Sequence, residues 1–199
     1  DGSNCPDTGF MRSSIVGCGA CVAVDPTIEL RMNPVSGQFE PSRASGPEAA
    51  SVCPAVRVDY GDLHERLFGV RPDSPFGVME RVVLAQSTDR SRNARASSGG
   101  LIRELLLDLL VEQGVAGAIV LDHEAGLEFR PRQVRRPEEI ESLPGSIYIQ
   151  VCFDEAIRIL EAAEKPLALV AIPCQLEEST STSSGAGPSW SRASIRLSA

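Results

Sequence analysis

The chain has 199 residues, 42% of them hydrophobic, and a formal net charge of −8. This length suits one sizeable domain, or a small module plus one domain, with enough apolar residues for a core. The negative charge argues against nucleic acid as the main partner. No apolar run reaches the roughly 18 residues of a transmembrane helix, so we predict no membrane span.

The six cysteines limit the possible compartment and function of the chain. They are irregularly spaced and include one C-x2-C pair, which favours a reducing compartment such as the cytoplasm and a metal or redox use. With only two histidines, a histidine-rich zinc site is not expected. Cys5 lies near the terminus and receives no role, and Cys152 is interpreted as a packing residue because its neighbours are apolar.

Residues 1–60 are rich in Gly, Pro and Ser and show no helical period, which predicts a loop-rich cofactor module. The run from Gly17 to Pro26 is similar to half of the ferredoxin motif C-x2-C-x2-C-x3-C-P, with Cys18 and Cys21 at its second and third cysteines. Asp25 stands where the fourth cysteine would be, and a second cysteine signal follows at Cys53-Pro54. From the residues alone, this pair could bind zinc, exchange thiols, ligate a cluster or simply be buried.

From about residue 80 short apolar runs alternate with helical patterns. We predict a strand at 82–85, a polar loop at 87–99, and a helix from Leu101 to Leu110 that Ser97 or Ser98 caps. Further along, the predicted elements are strands at 115–121, 127–130, 147–151 and 167–172, and helices at 137–143 and 153–164. This alternation predicts an α/β fold, with α+β as the alternative.

Two further segments stand out. Ser97, Ser98, Gly99 and Gly100 precede the predicted helix, where backbone N–H groups and the helix dipole favour a phosphate; Arg95 lies just upstream. Many helices begin this way without a ligand. Cys174 follows the last predicted strand, where α/β proteins place ligands, and could be a ligand, a redox thiol or a packing residue.

In this order, the motifs resemble the beta-subunit family of coenzyme F(420) hydrogenases and dehydrogenases. The resemblance covers roughly residues 15–177 and rests on the runs 17–26, 51–54, 97–100 and 172–175. Residues 145–148 fit as well, although the family often has Lys where Ile147 stands. The resemblance implies an iron–sulfur module at 1–60, an incomplete flavin-binding α/β domain at 61–177, and a chain truncated at its C-terminus. Residues 178–199 are Ser/Gly-rich, and we expect them to be disordered.

The resemblance also implies an oxidoreductase that holds FAD and a 4Fe–4S cluster. Ser97, Ser98, Gly99, Gly100 and Arg95 would then lie against the FAD phosphates. Cys18, Cys21, Cys53 and Cys174 would ligate the cluster, with Asp25 as the runner-up for the fourth ligand. The implied redox partner is ferredoxin, a deazaflavin coenzyme or a hydrogenase/dehydrogenase subunit. The alternative function is a non-catalytic electron-transfer or metal-binding module without its own substrate.

Overall fold

The structure is a computed structural model that describes residues 17–43, 46–56, 59–79, 81–172 and 175–176. Its centre is a three-stranded mixed sheet. Strand β3 (Ala118–Ala125) pairs antiparallel with β4 (Glu128–Val134) and parallel with the short β5 (Ala168–Leu169), in the order β4-β3-β5. Cys5, Cys174 and residues 178–199 lie outside the described residues.

Helices cover both faces of this sheet because successive residues of β3 point to opposite sides. On one face, helix α5 (Leu101–Val111) and helix α6 (Pro137–Glu141) pack over the sheet. Their buried cluster consists of Leu106, Ala118, Val120, Val134 and Ile140. On the other face, Ile119 packs with Phe153, Ala156 and Leu160, which belong to helix α7 (Asp154–Glu161) and its N-cap. The predicted α/β fold is therefore confirmed.

The N-terminal part contains more helix than its composition predicts. It consists of α1 (Ala20–Val24), a hairpin of β1 (Leu30–Met32) and β2 (Phe39–Pro41), α2 (Pro47–Ser51) and α3 (Tyr60–Phe68). Val22, Ile28 and Ala49 form its small buried cluster. Helices of five residues are too short to show a 3.6-residue repeat in the sequence, which explains why the pattern missed α1 and α2.

Three other predicted elements differ from the structure. Residues 90–95 of the predicted polar loop form helix α4 (Arg90–Arg95), because the Asp89 side chain accepts hydrogen bonds from the N–H groups of Ser91 and Arg92 at its start. Residues 82–85 and 147–151 are not strands in the part of the chain that is described. Leu84 is fully exposed and Tyr148 nearly so, and neither segment has a neighbouring strand with which to pair.

Every helix within the described ranges is too short or too polar to cross a bilayer.

Candidate cofactor site

A cavity of about 300 Å³ opens at the carboxyl edge of the two parallel strands. Its floor includes Val120 and Leu121 of β3 and residues 170–172, which follow β5. The N-terminal turn of α5 and the loop at residues 143–147 form the walls. Ligands of open α/β sheets bind at this edge, so the cavity occupies the position where a cofactor is expected.

Two consecutive glycines start helix α5 beside this cavity. Gly99 and Gly100 have φ angles of 71° and 76°, a left-handed conformation that side chains other than glycine rarely adopt. A Cβ atom on Gly100 would lie 3.3 Å from Ser87 Cβ, so the turn also packs tightly. No described side chain caps α5, which leaves its first N–H groups available for an anion.

Three of the predicted phosphate-binding residues line the cavity and two do not. Ser97, Ser98 and Gly100 are in its wall. Gly99 turns instead towards Gln86, whose Cβ would be 3.0 Å from a Cβ at Gly99. Arg95 is largely exposed, with a guanidinium nitrogen 3.8 Å from a carboxylate oxygen of Glu141.

The half-buried Arg92 joins three helices next to the cavity. Its guanidinium lies 2.7 Å from the Glu104 carboxylate on α5 and 2.6 Å from the Glu141 carboxylate on α6. The hydrogen bond to Glu141, followed by that to Glu104, raises the pKa of Arg92. The cation is thus neutralised by protein carboxylates, and its contribution is to hold α4, α5 and α6 together.

Sequence reasoning missed Arg103, which lines the cavity from the first turn of α5. Its guanidinium donates hydrogen bonds to the carbonyl oxygens of Leu143 and Pro144. These bonds fix the loop at 143–147 against α5. The sequence signal that could have identified Arg103 is a cation in the first helical turn, just after two glycines.

The two loops of the cavity also contact each other directly. The N–H group of Ser146 donates to the Ser97 hydroxyl oxygen over 3.3 Å. A Cβ atom on Gly145 would lie 3.1 Å from that same oxygen. The Ser97–Gly100 loop and the Gly145 loop, which the sequence singled out separately, therefore form one site.

The C-x2-C motif lies against the N-terminal end of α7. A Cβ atom on Gly17 would be 2.8 Å from the Gln150 side-chain nitrogen, and one on Gly19 would be 2.6 Å from the backbone nitrogen of Asp154. Both glycines have positive φ angles, 65° and 98°. Segment 17–19 therefore runs alongside segment 150–154, with Cys18 buried between the two glycines.

Cys152 occupies the middle of the facing segment. Its thiol donates a hydrogen bond to an Asp154 carboxylate oxygen over 2.9 Å. Burial, then this hydrogen bond, raises the pKa of Cys152 to about 12, and the nearby Cys21 adds to the shift. At neutral pH the thiol is therefore protonated while no metal is bound to it.

Cys53 lies two residues after helix α2 (Pro47–Ser51). This helix packs on α1 and buries Ala49 against Val22. Among the described residues, no disulfide joins Cys18, Cys21, Cys53 or Cys152. The runner-up ligand Asp25 is engaged in a turn, where it accepts hydrogen bonds from Thr27 and from the Arg43 guanidinium at 2.7 Å.

Among the described residues, no three His, Cys, Asp or Glu side chains lie close enough together to hold a single metal ion. The donor set is nevertheless composed of sulfur, which is the ligand of iron–sulfur clusters. The thiols therefore match the donor chemistry of a cluster, and thiolates bind zinc as well.

The fold and the cavity define the class: an α/β protein with a ligand cavity between a Gly-Gly helix start and the carboxyl edge of its parallel strands. Residues 82–158 match the sequence model of the N-terminal part of the coenzyme F(420) hydrogenase/dehydrogenase beta subunit. This match confirms the resemblance to that family over residues 82–158. No curated protein matches the chain. The family supports an oxidoreductase-related role in electron transfer.

Proposed function

We propose that this chain belongs to an iron–sulfur flavoprotein oxidoreductase and that its cavity holds part of FAD. The observation that carries the proposal is that the family match, residues 82–158, contains both loops that face each other across the cavity. We assign residues 61–177 to the flavin-binding domain and residues 1–60 to the cysteine-bearing module.

The cavity walls suit the phosphate end of a dinucleotide. Its volume of about 300 Å³ is at the lower end of the range for small-molecule sites, so it would take one part of FAD and not the whole molecule. Ser97 and Ser98 offer hydroxyl donors, and the α5 N–H groups favour negative charge. We propose Ser97, Ser98, Gly99, Gly100 and Arg95 as the phosphate site, with Gly99 shaping the turn and Arg95 contributing positive charge nearby.

The cysteine-bearing module would hold a 4Fe–4S cluster. Cys18, Cys21 and Cys53 are the proposed ligands, and Cys174 is the fourth ligand that the sequence favours. When bound, a cluster of this kind supplies one-electron transfer, and a flavin links single electrons to hydride chemistry. The chain's own contribution is to hold the thiols on packed segments around α1.

The partner would be a carrier of electrons or hydride. Ferredoxin, a deazaflavin coenzyme or another subunit of a hydrogenase or dehydrogenase is consistent with the beta-subunit description of the family. The irregular cysteine spacing with one C-x2-C pair favours a reducing compartment, and we propose the cytoplasm.

The first test is anaerobic purification of the full chain, followed by an absorption spectrum and assays of iron, sulfide and flavin. About four irons with bound FAD would support the proposal. Iron without flavin would leave an electron-transfer module, and a colourless protein without iron or flavin would overturn the proposal.

A cavity variant tests the flavin site itself. Gly145→Leu adds a side chain to the cavity wall, where even a Cβ atom would lie 3.1 Å from the Ser97 hydroxyl. We expect FAD affinity to fall at least about tenfold, a loss of about 1.4 kcal/mol in binding free energy. Gly46→Leu is the matched control because nothing in the described part of the chain lies within 4 Å of a Cβ there. Equal FAD stoichiometry in both variants would place the flavin elsewhere.

A further inference from the structure

We infer that Cys152 is a ligand of the cluster and joins Cys18, Cys21 and Cys53 as the fourth thiolate in place of Cys174. The inference rests on the proposed cluster and deepens it by naming a residue that the sequence had placed in the core. Its basis is the way three separate segments of the chain pack around helix α1.

Segments 17–19 and 150–154 pack against each other in a defined register. Gly17 lies against Gln150, and Gly19 lies against the backbone of Asp154. Cys18 is the only residue between those glycines, and Cys152 is at the centre of residues 150–154. Cys18 and Cys152 therefore lie at the same level of the two facing segments.

The close approach is maintained by features that are independent of any metal. Gly17 and Gly19 both have positive φ angles and leave no room for a Cβ atom. The Gln150 side-chain oxygen also accepts a 2.6 Å hydrogen bond from the N–H group of Phe39 in β2. Segments 17–19 and 150–154 are thus held together by the close contacts of the two glycines. The hydrogen bond between Phe39 and Gln150 also ties segment 150–154 to the β1–β2 hairpin.

The elements next to Cys53 and Cys152 both pack on α1. Helix α2, with Cys53 just after its end, packs on α1, and the N-terminal end of α7 packs on α1 as well. Cys21 lies within α1 and packs beside the Val22–Ala49 cluster. Cys18 and Cys21 therefore belong to α1 and the residues before it. Cys53 and Cys152 belong to two segments whose helices pack on α1.

The burial and contacts of Cys152 differ from those of a packing residue. Its neighbours Val151 and Phe153 are buried, whereas Cys152 is only half-buried. In the described part of the chain, Cys152 belongs to none of the three apolar clusters. Its thiol donates a hydrogen bond to the Asp154 carboxylate, a polar contact that a packing cysteine does not need. Ligation breaks the S–H bond, releases the thiol proton and forms an S–Fe bond.

The experiment compares Cys152→Ser with Cys174→Ser in the full chain. Both proteins are reconstituted anaerobically with ferrous iron and sulfide and desalted, and their iron, sulfide and absorbance near 400 nm are measured. We expect Cys152→Ser to retain at least about tenfold less iron than the unmodified chain, because loss of a direct ligand should exceed the effect of losing a supporting contact. Cys174→Ser should retain the iron of the unmodified chain.

A second measurement uses the unmodified chain and so does not depend on how a variant folds. Alkylation with N-ethylmaleimide is quantified at each cysteine by mass spectrometry, with and without reconstituted iron and sulfide. We expect loading to slow the labelling of Cys152 by at least about tenfold, and a chelator to restore it. Labelling of Cys152 at the same rate in both states would overturn the inference.

The outcomes distinguish this inference from the proposed function. Iron in the unmodified chain and in Cys152→Ser, with loss in Cys174→Ser, overturns the inference and leaves the proposed cluster standing. An unmodified chain that retains neither iron nor sulfide overturns both. Iron lost in Cys152→Ser alone, together with protection of the Cys152 thiol, supports both.

Discussion

The contact between Gly19 and the start of α7 gives the sharpest test of the structure. Gly19 has a φ angle of 98°, and a Cβ atom at this position would lie 2.6 Å from the Asp154 nitrogen and 2.7 Å from its Cα atom. Both neighbours are backbone atoms, so no side-chain rotation can relieve the overlap. Gly19→Ala must therefore move α1 away from α7.

Two contributions set the expected size of this effect. A left-handed backbone costs an alanine about 1–2 kcal/mol. Overpacking at a fixed contact adds about 1–3 kcal/mol. We expect Gly19→Ala to lower the free energy of unfolding by about 2–5 kcal/mol, a large share of the roughly 5–15 kcal/mol that stabilises a typical domain.

The matched control is Gly37→Ala in the β1–β2 turn. Gly37 has a φ angle of 68°, but no described atom lies within 4 Å of a Cβ there, so only the backbone cost of about 1–2 kcal/mol applies. Urea unfolding with reductant, followed by circular dichroism, measures both variants. If their unfolding free energies agree within about 0.5 kcal/mol, the close contact at residue 19 does not exist. The register that brings Cys18 beside Cys152 would then be lost as well.

Leu106 and Glu139 provide two further predictions. Leu106 is 3% exposed in the main core, so Leu106→Ala should lower the free energy of unfolding by about 2–5 kcal/mol in urea unfolding. Ile102→Ala on the exposed side of the same helix should change it by about 0.5 kcal/mol or less; equal losses would refute the packing. Hydrogen bonds from the N–H groups of residues 135 and 136 lower the pKa of Glu139 from 4.5 to about 2. The carboxylate's contribution to stability is complete above its unfolded pKa and disappears as the pH falls towards 2. Thermal melts across this range should therefore show a shallower pH dependence for Glu139→Gln than for Glu138→Gln, and identical curves would contradict the assignment.

The sequence predicted best the elements whose pattern follows burial. The apolar run at 115–121 became part of β3, which is buried on both faces, and the pattern at 153–164 became α7, which is buried along one face. The run at 82–85 is equally apolar but has no neighbouring strand among the described residues, and its side chains are exposed. A strand is stabilised by its partners, so an apolar run alone does not determine one.

The two cavity loops were indicated by the sequence in different ways. Ser97–Gly100 has the composition of a helix start, whereas residues 145–148 stood out only through the family resemblance. The hydrogen bond that joins them spans 49 positions, and no local pattern indicates it. The expected use of Arg95 illustrates the same limit, because its pairing with Glu141 depends on how α4 packs beside α6.

Cys152 shows how non-local packing changes the interpretation of a residue. Its apolar neighbours in sequence suggest a core position, and only the contact between segments 17–19 and 150–154 places it beside the C-x2-C motif. The glycines of that motif do not by themselves distinguish a cluster from close packing. Gly19 is required by its contact with Asp154 whether or not iron is bound. The thiols carry the chemical information, and the fold adds that the helices next to Cys53 and Cys152 both pack on α1.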